Sequence, residues 1–204
     1  MSNPNSPFGF LPIGPADGSA PTFALRSAKI YSGNTNAIYR GDPVIMQGST
    51  SGGYITPWST NVANGLVIGV FWGCKYLSTA LGRTVSQQFW PGSDAAADGV
   101  AYLIPLAGSV PTKFIVQANS SSTPIAFANI GECASPVAGT GHVKGAAGLS
   151  GFTLGTPTAT TALEFKIIDL ASSIFPSGTS GTDDTSAYNK VIVQFNSFSD
   201  AGHA

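Results

Sequence analysis

Residues 65–92, GLVIGVFWGCKYLSTALGRTVSQQFWPG, limit the folds open to this chain more than any other stretch. The run from Leu66 to Cys74 is apolar or glycine throughout. It is too short for a useful helix and rich in β-branched and aromatic residues, so it predicts a buried strand. Side chains alternate across a strand, which puts Leu66, Ile68, Val70, Trp72, Cys74 and Tyr76 on one bulky face and Gly65, Val67, Gly69, Phe71 and Gly73 on the other. The glycines of the second face admit a backbone or an aromatic ring at close range. After a turn around Ala80 to Arg83, Thr84 to Trp90 is expected to run back as a second strand, which Pro91-Gly92 ends.

The rest of the chain agrees with short strands. Only 9% of the 204 residues are charged, against about 25% in an ordinary soluble domain. Glycine (25 residues), proline (14), serine and threonine stand in their place. That mixture predicts an all-β fold, a sandwich or barrel-like body of short antiparallel strands joined by turns. The length suffices for one domain or two small ones with a real core. A net charge of -1 with scattered lysines and arginines provides no basic stripe, so nucleic-acid binding is not expected. The longest apolar run is less than half of the roughly 20 residues of a membrane-spanning helix. The first residues, MSNPNSPFGFLPIGPADGS, show neither a basic n-region nor an apolar h-region, so synthesis in the cytoplasm is the expectation. Cys74 and Cys133 are then expected as reduced thiols, with Cys74 a small buried hydrophobe.

Residues 1–22 hold five prolines, too many for a helix or a central strand, and are expected to form an extended N-terminal arm. Its apolar residues Phe8, Phe10, Leu11 and Ile13 are of the kind that dock, on the chain's own body or on a neighbour. Residues 23–204 form the β-rich body, with the glycine-rich stretch 139–151 the best candidate for a subdivision. Strands are expected from Phe23 onward in FALRSAKIY, in NAIYRGDPVIMQG on both sides of a Gly41-Asp42-Pro43 turn, and in TSGGYITPW. Gly99 to Ile104, Lys113 to Ala118 and Pro124 to Ile130 are further candidates, with a serine run at Ser120 to Ser122 and a short helical piece at Asp94 to Asp98. ALEFKIIDL (162–170) and KVIVQFN (190–196) alternate and are expected to pair. The 18 residues between Leu170-Ala171 and Lys190 show no period, and loops of that length are usually functional or disordered.

Little in the chain points to catalysis. His142, in the loop-like GTGHVKG, and the near-terminal His203 are the only histidines. His142 has no cysteine or carboxylate at metal-ligand spacing, and His203 is the second-last residue, where termini are normally mobile. There is no Gly-x-Ser-x-Gly elbow and no P-loop. Asp42 and Asp169 are one conceivable carboxylate pair, but Asp42 between glycine and proline already has a turn-forming role. Asp183-Asp184 offers oxygens of the type calcium takes, although an acidic loop tip is the simpler reading. No catalytic residue, metal, cofactor or small-molecule substrate is therefore expected.

Taken in order, PFGFLPIGPADGS (7–19), AIYRGDPV (37–44), VIGVFWGCKY (67–76), FWPG (89–92) and KVIVQFN (190–196) resemble the motifs of tailed-bacteriophage capsid decoration, or cement, proteins. The family opens with a Phe-Gly-Phe-x-Pro arm, continues through a Gly-Asp turn and a Gly-Val-Phe-x-Gly-Cys strand, and reaches a Trp-Pro element. On this resemblance Gly41, Asp42, Pro43, Gly69, Phe71, Gly73, Cys74, Trp90 and Pro91 are structural motif positions. It implies a non-enzymatic virion protein, made in the host cytoplasm, that sits on the outer surface of the icosahedral head. The implied partners are the major capsid protein and further copies of the chain in a homotrimer. The arm residues Phe8, Phe10, Leu11 and Ile13 would then grip a neighbour, with the 172–189 loop as a second contact surface. The alternative is a carbohydrate-binding β-sandwich of a fibre or lectin type, with Trp58, Trp72 and Trp90 stacking on sugars. The pattern assigns Trp72 to the core and Trp90 to a packed strand end, leaving Trp58 open. A virion hydrolase is a third reading, disfavoured because no histidine stands near a nucleophile.

Overall fold

The structure, a computed structural model, describes residues 2–19, 24–47, 52–59, 67–106, 110–120, 123–144, 147–160, 162–176 and 179–196. The expectations placed on Phe23, Gly65, Leu66, Ser121, Ser122 and His203 fall outside them. The fold is all-β. Helical structure among the described residues consists of two 3-10 turns, Phe127–Asn129 and Ala171–Ser173, and none of it is long and apolar enough to cross a membrane. The chain divides into two compact units. The first unit comprises Met1–Pro21, Leu106–Gly139 and Phe152–Ala204, and the second comprises Thr22–Pro105 and Thr140–Gly151. The N-terminal segment is part of the first unit, and the glycine-rich stretch 139–151 lies mostly in a segment that returns to the second.

Strands are numbered along the chain. In the first unit, β1 (Leu11–Pro15), β10 (Thr112–Gln117), β17 (Lys190–Phe195), β16 (Phe165–Leu170) and β11 (Cys133–Ala134) form a five-stranded sheet in that order. β17 pairs antiparallel with both β10 and β16, as its alternation with ALEFKIIDL predicts. Val191, Val193 and Phe195 are buried, and so is Ile192 on the opposite face. A run apolar on both faces belongs at the centre of a sheet. β1 takes the edge, where Pro12 and Pro15 cost least because an edge strand can leave N–H positions empty. A register break between Pro12 and Gly14 and the two prolines also blunt that edge against pairing with another chain. A two-stranded ribbon of β12 (Pro136–Val137) and β15 (Thr153–Leu154) completes the unit. The strand expected over Pro124 to Ile130 is a 3-10 turn. Asn129 Oδ1 accepts the Ala126 N–H at 2.9 Å, the local side-chain bond that competes with a ladder.

In the second unit, β2 (Arg26–Ile30), β9 (Gly99–Pro105), β6 (Val67–Ser78), β4 (Pro43–Met46) and β5 (Ile55–Pro57) form one sheet, with β7 (Arg83–Gln87) also paired to β6. β3 (Ile38–Tyr39) pairs with β8 (Phe89–Trp90), and β13 (His142–Lys144) with β14 (Ala147–Leu149). The β6–β7 hairpin follows the expected course. The helical piece at Asp94 to Asp98 does not form, because Asp94 closes that hairpin instead. Its carboxylate accepts Ser78 Oγ–H at 2.6 Å and the Ala80 N–H at 2.8 Å.

The long strand β6 departs from simple alternation. Opposite β9 its register runs Phe71 to Leu103 and then Gly73 to Tyr102, so Trp72 is an inserted residue. Phe71, Cys74 and Tyr76 all join one core with Ile30, Ile38, Val44, Ile55, Trp90, Ala101 and Leu103. A spacing of three between Phe71 and Cys74 is incompatible with an unbroken two-residue period, and a bulge supplies the missing phase. Trp72, expected in the core, is left half-buried. The glycine face also serves differently from expectation. A Cβ on Gly69 would lie 3.0 Å from Ile104 O, and one on Gly73 would lie 3.0 Å from Gln87 O. The close neighbours are flanking strands of the same sheet.

Candidate functional site

The expected docking residues of the N-terminal segment are used largely inside their own unit. Phe10 is 0% exposed, and its ring stacks on Phe165 with centroids 4.5 Å apart. It is a core residue and not a free anchor: an aromatic ring among prolines reads as an arm in sequence, but β1 pairing carries it into the core. Leu11 and Phe8 are half-buried, with Lys190 Nζ 5.4 Å from the Phe8 ring centroid. Ile13 remains exposed. Asn3 fastens the segment to the 172–189 loop, donating from Nδ2 to the carbonyls of Asp183 (2.8 Å) and Ala187 (3.0 Å). Gln117 takes the next residues, accepting the Ser6 N–H at 3.0 Å and donating to Asn5 Oδ1 at 2.9 Å. That loop's own acidic residues are engaged locally. Asp183 accepts the Thr185 N–H and the hydroxyls of Thr185 and Ser186, which holds its carboxyl well below the usual range.

The motif positions Gly41, Asp42, Pro43, Gly69, Phe71, Gly73, Cys74, Trp90 and Pro91 all belong to the second unit. Gly41, at φ +98°, has the left-handed backbone that glycine adopts without cost. Its N–H donates to Phe71 O, and the Phe71 N–H donates to Asp42 O, both at 2.8 Å. These bonds tie the turn to β6 at the bulge. Asp42 Oδ2 accepts the Tyr39 N–H at 2.7 Å, while Oδ1 is buried with no hydrogen-bond partner. Burial, opposed by hydrogen bonds from Ser150 and the Tyr39 backbone, pushes the Asp42 carboxyl up to about 7. Asp42 is therefore a buried turn residue. Asp169, its conceivable partner, belongs to the other unit and accepts Ser173 Oγ–H at 2.6 Å. Cys74 donates to Phe89 O at 3.3 Å, and burial pushes its thiol up to about 12, which makes it inert. Cys74 and Cys133 are both free and buried.

Above the turn, the hairpin of β13 and β14 lies on aromatic rings. Tyr39 and Phe89 stack at 6.4 Å. A Cβ on Gly148 would fall 2.4 Å from Phe89 Cβ, and one on Gly141 only 2.2 Å from the Tyr39 ring. Glycine at these positions lets the hairpin backbone approach the rings. His142 sits on β13 and not in a loop. Among the described residues no group of three or more His, Cys, Asp or Glu side chains is placed to hold a metal ion.

The tryptophans separate clearly. Trp90 is in the core, with its Nε1–H donating to Asn34 O at 3.1 Å. Trp58, left open by the sequence, is buried at 7% exposure. Trp72 is the one that reaches the surface, and the Arg40 guanidinium lies 3.6 Å from its ring centroid. Arg40 Nε is sealed from solvent without an acceptor. Sequence reasoning missed Arg40. The available signal was a lone cation beside the Gly41-Asp42-Pro43 turn, in a chain with nine lysines and arginines in 204 residues. Comparison of the chain with family models, curated proteins and solved structures finds no match.

Proposed function

We propose that this chain is a capsid decoration protein of a tailed bacteriophage, which binds the outer surface of the icosahedral head as a homotrimer and stabilises the lattice of the major capsid protein. The observation that carries the reading is a rigid antiparallel sheet with apolar residues standing exposed on its strands. In the second unit Lys75 pairs with Val100 and Gly73 with Tyr102. Directly paired residues share a face, and Leu77, two residues beyond Lys75, lies on that face too. Leu77, Val100 and Tyr102 are all exposed. In the first unit Ile174 and Phe175, at the start of the 172–189 loop, are exposed as well. Apolar groups held out on a stiff frame suit a protein whose work is to contact neighbours.

The motifs behind the family resemblance also supply the frame: β1 and Phe10, the Gly41-Asp42-Pro43 turn, β6, Trp90 and β17. A protein that binds only the assembled shell stabilises it by about 2.7 kcal/mol at a hundredfold excess over its dissociation constant, and three linked copies strengthen the grip. The carbohydrate reading loses support because Trp58 and Trp90 are interior and Arg40 covers one face of Trp72. Light scattering on the purified chain and co-sedimentation with heads lacking their decoration protein test the proposal. A trimer that saturates the heads and raises their melting temperature is expected. A monomer that leaves them bare would overturn it.

A further inference from the structure

We infer that Arg40 stacked on Trp72 is an anchor for a carboxylate side chain of the shell partner. This rests on the reading of the chain as a shell-binding protein and names the chemistry of one contact.

The inference starts from backbone geometry. Trp72 is the inserted residue of β6, and bulges turn a side chain away from the direction that alternation would give it. The ring forms a half-buried platform, and the Arg40 backbone is held beside the β13–β14 hairpin by the Ser150 N–H donating to Arg40 O at 3.2 Å. The Arg40 Cζ lies 3.6 Å from the ring centroid, so the guanidinium rests against the platform. A guanidinium held in place offers a fork for the two parallel bonds that a carboxylate accepts.

Among the described residues no carboxylate is recorded as a partner of the Arg40 guanidinium. Asp42, two residues away, spends Oδ2 on the Tyr39 N–H and is 2% exposed. Burial is the one influence that shifts the ionisation of Arg40, downward, with no carboxylate acting against it. A partly desolvated cation without a counter-charge is costly, and an incoming carboxylate offsets that cost. The surroundings fit a protein surface better than a free anion. Leu149, bridged to Arg40, is 45% exposed and provides an apolar rim. Arginine and tryptophan within such a rim are the residue types that dominate binding hot spots.

The test compares the parent chain with Arg40→Gln and Arg40→Lys, the latter keeping the charge but losing the planar fork. Each is titrated onto heads lacking their decoration protein, and in parallel with a hexaglutamate peptide followed by tryptophan emission. Trp58 and Trp90 are buried, so Trp72 reports the peptide. Unchanged melting curves establish that the variants fold. We expect both variants to bind heads at least about tenfold more weakly, and Arg40→Gln to abolish the emission change. Parent and variants binding heads equally would overturn the inference and leave the proposed function standing. If the parent binds no heads, the function fails, and the peptide decides the inference: an emission change that requires Arg40 sustains it, and no change overturns it.

Discussion

The two longest sheets use their central strands in opposite ways. In the first unit β17 is buried on both faces, with Val191, Ile192 and Val193 all enclosed, and the sheet acts as framework. In the second unit β6 keeps one phase to Phe71, inserts Trp72, and re-enters the core at Cys74 and Tyr76. The inserted residue is carried outward, under Arg40. The unbroken strand is used for packing, whereas the broken one brings an aromatic ring and a cation together at the bulge. The contrast sets this pair in the second unit and the N-terminal fastening in the first.

The largest effect that sharpens the contrast is in the framework. Phe10→Ala removes a fully buried ring from the first unit and should cost about 3 to 5 kcal/mol, read as a lower midpoint in denaturation followed by far-ultraviolet circular dichroism. An effect below about 1 kcal/mol would return the segment to the status of a free arm. Ile13→Ala, at an exposed position, should be near neutral. All three tryptophans lie in the second unit, so their emission follows that unit alone.

Next comes the pH dependence of the second unit. Asp42 holds its proton more tightly in the folded state than in the unfolded chain, its carboxyl rising from 3.8 to about 7. Its contribution is therefore complete below about pH 4 and is lost as pH rises through 7, a change on the order of 4 kcal/mol. Asp42→Asn should flatten the stability curve between those limits while keeping an oxygen for the Tyr39 N–H. A curve of the same slope in parent and variant would remove Asp42 as the cause.

Smaller effects follow. Gly148→Ala forces a Cβ to within 2.4 Å of Phe89 Cβ and should cost about 1 to 3 kcal/mol, visible in tryptophan emission. Asn3→Ala removes the bonds from its Nδ2 to the Asp183 and Ala187 carbonyls and should cost about 1 to 2 kcal/mol, visible in circular dichroism. If Asn3→Ala shifts tryptophan emission as far as circular dichroism, the two units unfold together, and the contrast between them is one of structure and not of stability.

Much of the framework was legible in the residues. KVIVQFN pairs with ALEFKIIDL because both carry their alternation through to the partner. The Gly41-Asp42-Pro43 turn reads correctly because a left-handed glycine, a side chain that accepts a backbone N–H and a locked proline φ are local properties. Local competition defeated other expectations: Asn129 takes the Ala126 N–H and makes a turn where a strand seemed due, and Asp94 caps a hairpin in place of starting a helix. The site was harder to see. Arg40 and Trp72 are 32 residues apart, and neither reads as part of a pair until the turn is hydrogen-bonded to the bulge.

What the amino-acid sequence determined by itself is the fold class, the positions of most strands and the turns between them, because propensity, alternation and glycine or proline geometry act over a few residues. Tertiary structure decided that the N-terminal segment closes a sheet edge, that residues 142–149 return to the second unit, and that Trp72 is turned out of the core. Each of these depends on which strand lies alongside. Register and phase are properties of a pair of strands, and one chain segment read alone contains only half of each pair.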